Sequence, residues 1–400
     1  MAEPTQSCIP SRRALGLFAA LALLGFGAFV FQTAAGDPAR AWQAYLINFL
    51  LWSAIAQGGL LFSVVMHITK ARWSGRMQSL AESFAAFFPL SLVLFLGLFL
   101  GKDYLFPGLH GEVRGLKIWL NLPFLFSRDL VGLLLLYGIG LAYTFYSLRL
   151  RGDSGGGGGG WIGSLVCRGW TGSEDAVQRS RHRMTTLSVL YILVYSLILT
   201  LLAFDLIMSM EPPWYSTLFG AYAFAKAFYL GLLALMVVAG FHYLRGGESS
   251  GLRPSDFHDL GKLIFAFCLV WADFFYVQLL IIWYGNISEE THYLIKRVML
   301  LPWRPLAWAV FLMGFVIPFF VLLNKRVKER PLVMIPFCLF VIIGLWLEHL
   351  LLVGPSLNPG TATLPVGAGD LLISLGFLGL MAFAVTLFLR RFQYPVVRRS

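Results

Sequence analysis

The chain has 400 residues, of which 58% are hydrophobic and only 13% charged, and its mean hydropathy is +0.74. No water-soluble domain of this length reads that way, because most of its surface would be apolar. The formal net charge of +11 would suit a nucleic-acid partner only if gathered on a soluble surface, and its distribution along the chain excludes that reading.

Apolar runs of about 20 residues, long enough to cross a bilayer as helix, recur ten times. They fall at roughly 14–35, 42–68, 83–101, 121–148, 184–210, 215–244, 258–284, 306–323, 331–353 and 370–390. The expectation is an all-α integral membrane protein, one membrane domain over 1–400. Spans 2–5 and 6–9 would form two four-helix bundles, with the first and last helices peripheral. Arg12-Arg13 before the first run resembles the start of a signal peptide, but the run is long for one and is read as a retained helix. Span 2 carries Asn48 and Trp52 early and His67 at its end, and Glu82 precedes span 3. Span 4 brings Asn121, Arg128 and Asp129. Residues 149–183, with Gly155–Gly160, are read as a flexible loop between the halves.

Span 5 carries Asp205 near its end, inside the stretch AFDLIMSMEPPWYSTLFGAY. Proline has no amide to continue a helix, so Glu211-Pro212-Pro213 predicts the turn. Trp214 and Tyr215 then suit the aromatic belt of a membrane surface. Span 6 carries Lys226 and His242; span 7 opens on His258-Asp259-x-x-Lys262 and holds Asp273, with Asp256 read as a helix cap. Pro318 and Pro336 interrupt spans 8 and 9, and Glu348-His349 lies late in span 9. The cysteines Cys8, Cys167, Cys268 and Cys338 are scattered, with no C-x-x-C pair or C-x-x-C-H site. Covalent haem and a cysteine-ligated iron–sulfur cluster are therefore not expected in this chain. Non-covalent haem would need His67 and His242, which both sit at a membrane edge.

Ten spans put both ends of the chain on one side. Of the 31 Lys and Arg, 21 fall on that side, seven on the other, and Arg128, Lys226 and Lys262 lie within spans. The positive-inside rule then places both termini in the cytoplasm. On the resulting depth map, Asn121, Arg128, Asp129, Asp205, Glu348 and His349 converge near the outer surface. A quinone headgroup needs a donor and an acceptor at its carbonyl oxygens, and its quinol needs a base. Asn121, Arg128, Asp205, Glu348 and His349 are the candidate quinol ligands, with Arg128, Asp129 and Asp205 as catalytic candidates. The competing reading is that Arg128 pairs with Asp129 or Asp205 only to make burial tolerable. His67, His242, His258 and Asp259 would form the inner mouth of a proton path. Lys226 and Asp273 share a depth of roughly 16–18 Å from the outer surface, which predicts a buried Lys226–Asp273 ion pair in that path.

The Asp205–Tyr222 block and the segment HDLGKLIFAFCLVWADFFYVQLLIIWYGNISEET at 258–291 resemble the NrfD-like, polysulfide-reductase-type membrane subunits. The similarity is greatest to the ActF-type subunit of bacterial alternative complex III. KIWLNLPFLFSR at 117–128 and Trp346-Leu347-Glu348 through Pro355 support it. The resemblance implies ten helices with two four-helix bundles, no metal in the subunit, and a place in the bacterial inner membrane. It implies quinol or menaquinol oxidation by a complex whose partners are periplasmic iron–sulfur and multihaem cytochrome c subunits. It also implies a sister NrfD-like subunit as a rival location for the quinol site. Asp273 stands where that family generally has an aromatic residue, Lys226 where it has a small one, and Pro213 where a histidine is frequent. A proton-coupled secondary transporter and a structural anchor remain the alternative readings.

Overall fold

A computed structural model describes residues 11–71, 73–110, 118–152, 170 and 172–392. Among these residues there is no β-strand, and ten helices are long and apolar enough to cross a membrane. They are α1 (Arg12–Ala35), α2 (Pro38–Ile68), α3 (Gly75–Leu105), α4 (Leu122–Gly152), α5 (Glu174–Leu206), α6 (Leu218–Gly246), α7 (Pro254–Gly285), α9 (Trp303–Leu323), α10 (Pro331–Leu357) and α11 (Ala368–Arg391). Between α7 and α9 lies α8 (Ser288–Val298), a short amphipathic helix. The chain is an all-α, multi-pass membrane protein, with all ten expected spans present. The expected loop of 149–183 is shorter than its sequence suggested, because α4 continues to Gly152 and α5 starts at Glu174. Gly155–Gly160 and Lys117 lie outside the described residues.

Helix starts follow from local chemistry. Asp37 accepts the amide of Arg40 at 3.3 Å, with Pro38 in the first turn of α2. Ser173 accepts the amide of Ala176 at 3.3 Å, with Glu174 and Asp175 following. Asp256 accepts the amide of Arg253 at 3.0 Å, the cap expected of it. Each satisfies an amide that a helix start otherwise leaves free. Asn286, in the left-handed conformation, closes α7 and turns the chain into α8.

The helices gather as two sets of four, α2–α5 and α6, α7, α9 and α10, joined where α2 packs along α6. These two central helices are buried over most of their length. Gly58 of α2 and Gly231 of α6 make the approach possible: a Cβ on either would run into the backbone of the other helix. Between helices in lipid such small-residue contact is a main source of packing energy. Outside the two sets, α1 and α11 pair through a second contact of this type, Gly25 on Gly376. Arg40 and Asp370, 2.7 Å apart, and Asn48, donating to Ser374 at 2.9 Å, attach that pair to α2. Leu17, Leu23, Phe26 and Phe31 on α1 are among the large apolar side chains left outside, as a lipid-facing surface requires.

The face on which α1 begins and α11 ends is called the basic face below. Asp205, Glu211 and Asn358 mark the opposite face.

Candidate functional site

Several buried polar clusters lie inside the bundles. At the opposite face of the first set, Arg128 of α4 grips Asp205 of α5 with both arms of its guanidinium. Nε donates to Oδ2 at 2.6 Å and the second nitrogen bonds Oδ1. The remaining nitrogen donates to the carbonyl of Trp119 at 2.7 Å, and the cation lies 3.8 Å from the Trp119 ring centre. Asp129 is fully buried beside Asp205, and no donor among the described residues reaches its carboxyl oxygens. Two carboxylates thus face one guanidinium. One proton shared between them would leave the trio neutral, the state a low-dielectric site favours.

At the basic end of the same set, Glu82 is buried among Ser63 at 3.1 Å, Ser147 at 2.8 Å and Arg151 at 2.5 Å. Tyr143 bonds Ser63 at 3.0 Å. Midway along α4, Tyr137 receives a bond from Gln57 at 2.9 Å and pairs with Ser91 at 2.8 Å. Polar groups therefore occur at three levels of one bundle. The 8 residues from Asp129 to Tyr137 and the 6 to Tyr143 correspond to steps of about 12 Å and 9 Å along α4.

The second set holds a different arrangement. Glu348 of α10 takes bonds from Lys226 of α6 at 2.9 Å, from Trp271 of α7 at 3.1 Å, and from the Tyr222 hydroxyl. Lys226 and Glu348 side chains are 5% and 1% exposed, so the pair stands away from water with one charge of each sign. Glu348 also lines a cavity between α6, α7, α8 and α10, together with Trp214, Tyr222, Phe274, Phe275, Gln278, Tyr293 and Arg297. About 600 Å³ is free of atoms, but this includes open solvent at the mouth; the part enclosed by protein is much smaller, with room for a few waters or the edge of one ring.

The turn after α5 roofs this cavity, and Arg297 of α8 holds it there. Glu211 accepts from Arg297 at 3.0 Å and from Ser356 at 2.9 Å, and Lys296 lies 3.5 Å away. Arg297 also donates to the Leu352 carbonyl at 2.8 Å and covers the Tyr293 ring at 3.5 Å. Burial works against ionisation of Glu211, but Arg297, Ser356 and Lys296 outweigh it and hold its carboxyl below the usual range. Tyr293 stacks flat on Trp214, ring centres 3.7 Å apart. Burial pushes its phenol up to about 12, so it remains a donor at neutral pH. The Tyr293 hydroxyl and the Trp214 Nε1 are both buried without a partner among the described residues. A buried donor left unpaired is costly, and two of them beside one cavity suit a polar group entering it.

The sequence-predicted residues separate accordingly. Arg128, Asp129 and Asp205 do come together. Glu348 and His349 belong to the other bundle, and the Nδ1 of His349 faces the Leu345 carbonyl at 2.7 Å. Asn121 accepts the amide of Phe124 at 3.3 Å, the place of a helix cap. The expected Lys226–Asp273 pair is not formed, since the partner of Lys226 is Glu348. Asp273 is exposed on the outside of α7. The depth estimate was sound but the rotation was not: Trp271 points inward to Glu348, and a residue two positions on is turned by about 200°. His67 meets Thr185 at 3.2 Å, and Asp259 pairs with Lys262 at 2.9 Å on the exposed start of α7. His258 stands beside them on that surface, and His242 is part-buried on α6. Among the described residues no cluster of three or more metal-ligating side chains occurs. Tyr222, Trp271, Tyr293 and Arg297 were not anticipated. The pairing of Glu289 and Glu290 with Lys296 and Arg297 at the two ends of a short segment was the available signal for α8.

No protein-family model matches the chain, and no curated protein shows significant similarity to it.

Proposed function

We propose that this chain is a quinol-binding, proton-handling membrane subunit of a quinol-oxidising respiratory complex. The supporting observation is the cavity ending at Glu348, whose walls are aromatic and aliphatic and beside which the Tyr293 hydroxyl, the Trp214 indole and the Arg297 Nε have no partner among the described residues. A quinone or menaquinone headgroup is a flat ring with two opposed oxygens. Tyr293 or Trp214 would donate to one oxygen and Glu348 would accept from the other once it is a hydroxyl. The Lys226 charge keeps Glu348 from drawing a net charge into the membrane.

In this reading the opposite face looks outward, because the basic face carries most of the Lys and Arg. Protons leaving the quinol pass to carboxylates near that face, and Asp129–Asp205 is such an acceptor. Electrons leave for an acceptor outside this chain. The resemblance suggests iron–sulfur and multihaem cytochrome c subunits beside a sister membrane subunit, in a bacterial inner membrane.

The test uses the complex purified with its native lipids. Tyr293→Phe removes one donor, and a lost hydrogen bond of about 1.4 kcal/mol raises the KM for a short-chain quinol roughly tenfold. Glu348→Gln should lower kcat and the amount of co-purified isoprenoid quinone. Unchanged quinone content and kinetics in both folded variants would remove the reading.

A further inference from the structure

α7 shows the bundle one face and leaves the other uncovered. Phe257, Leu260, Ile264, Cys268, Trp271 and Ile282 are buried. On the other side Lys262, Ala266, Leu269, Asp273 and Tyr276 are exposed, and Trp283 continues the row. The steps between them are four, three, four, three and seven residues, the repeat with which one helix packs along another. From Lys262 to Trp283 the row is about 32 Å long, the thickness of the hydrocarbon core.

Asp273 sits in the middle of that row. It lies two residues from Trp271, so it is level with the buried Lys226–Glu348 pair but on the outside of the bundle. It makes no hydrogen bond or ion pair with a described residue. A carboxylate facing lipid at mid-depth is strongly unfavourable. Lipid headgroups cannot relieve it, since they stand about 15 Å away at either surface. A second copy of this chain packed about a two-fold axis would set Asp273 against Asp273, like charge on like.

We propose that the outer face of α7 is the docking surface for a transmembrane helix of a different polypeptide, which carries a Lys, Arg or His at the depth of Asp273. The small Ala266 and the flat rings of Tyr276 and Trp283 let that helix lie close, and Asp273 sets its register. The surface stands independently of the quinol reading, because neither the cavity nor its ligands contribute to it.

The test places a photo-reactive amino acid at Leu269 or Tyr276 in the full chain, in membranes of the cells that make it, with Leu197 on α5 as a lipid-facing control. The expected result is one adduct with a distinct membrane polypeptide at the two α7 positions and none at Leu197. Peptide mapping should place the adduct on an apolar segment, within about one turn of a Lys, Arg or His. Asp273→Leu should reduce the adduct at least tenfold at an unchanged thermal midpoint. Asp273→Asn, nearly isosteric, gives the same reading should the Leu variant lose its fold. Adducts only with lipid, with a second copy, or with a segment lacking a basic residue would overturn the proposal. So would yields indifferent to Asp273 in the folded variants.

Discussion

Lys226→Met is the substitution that most directly tests how the charged residues of the second bundle are paired. It keeps the length of the side chain and removes the charge 2.9 Å from Glu348. Glu348 keeps its bonds from Tyr222 and Trp271 but loses the counter-charge it is paired with while its side chain is 1% exposed. Breaking a buried pair from one side costs about 3–5 kcal/mol, most of it the uncompensated charge. Glu348→Gln in the same chain removes that charge and keeps one amide oxygen as an acceptor for Tyr222, at the cost of the bond from Trp271, which then faces the amide NH2. The double variant should therefore recover most of the loss, giving a coupling energy of about 2–3 kcal/mol. Denaturant unfolding of the four proteins in detergent measures it. A parallel cycle of Lys226→Met with Asp273→Leu should give coupling within about 0.5 kcal/mol, as for residues that do not meet. A coupling at 273 equal to or larger than that at 348 would refute the pairing and the facing of α7 with it.

Other parts of the structure make their own forecasts. Glu211 is held below its ordinary range, so its contribution to the roof is complete above about pH 4.5 and is lost as pH falls through its lower folded value. Acid should loosen α8, seen as a change in Trp214 fluorescence, and Glu211→Gln should flatten that pH dependence. Gly58→Leu pushes a side chain into the backbone of α6 at Ala227; overpacking costs about 1–3 kcal/mol or more and should lower the thermal midpoint by several degrees. Gly25→Leu should release α1 from α11 while sparing the two bundles, because the atoms nearest a side chain there belong to Gly376 and Leu372 of α11; protease sensitivity near residue 36 reports it. Asp129→Asn should lower the rate of quinol oxidation and proton release at an unchanged KM for quinol, since Asp129 does not line the cavity.

The membrane architecture was legible because length and hydropathy act locally: each span must cross about 30 Å of hydrocarbon whatever its neighbours do. That Arg128 would meet Asp129 or Asp205 was legible for a related reason, as charges at one depth on consecutive spans have few other partners; which of the two it grips was not. Rotation about the helix axis was harder to see. Lys226 and Asp273 match in depth, yet the bundle turns Trp271 inward and carries Asp273 to the outside. Glu348 was placed too near the surface, because α10 continues to Leu357, four residues past the expected end. Asn121 could have been recognised as a cap from its place immediately before a helix start. Tyr222, Tyr137 and Tyr143 gave no signal, because a tyrosine in an apolar run looks the same whether its hydroxyl meets a carboxylate or lies at a surface.

The charged clusters of the two bundles differ in a way that bears on what each can do. Lys226 and Glu348 carry one charge of each sign, and the cavity reaches them. A neutral ligand can enter there without bringing net charge into the membrane, and the pair orients it without having to titrate. Arg128, Asp129 and Asp205 carry two acids and one base, and none of the three lines the cavity. Such a trio suits a proton better than a ligand, because gaining or losing one proton moves it between neutral and singly charged while the guanidinium clamp keeps its geometry. A site that binds a quinol and a site that takes its protons need not share residues. Under the proposed function, such a separation would let the second exchange protons with water through the Trp119 edge, where Arg128 is 11% exposed, without disturbing the ligand held at the first.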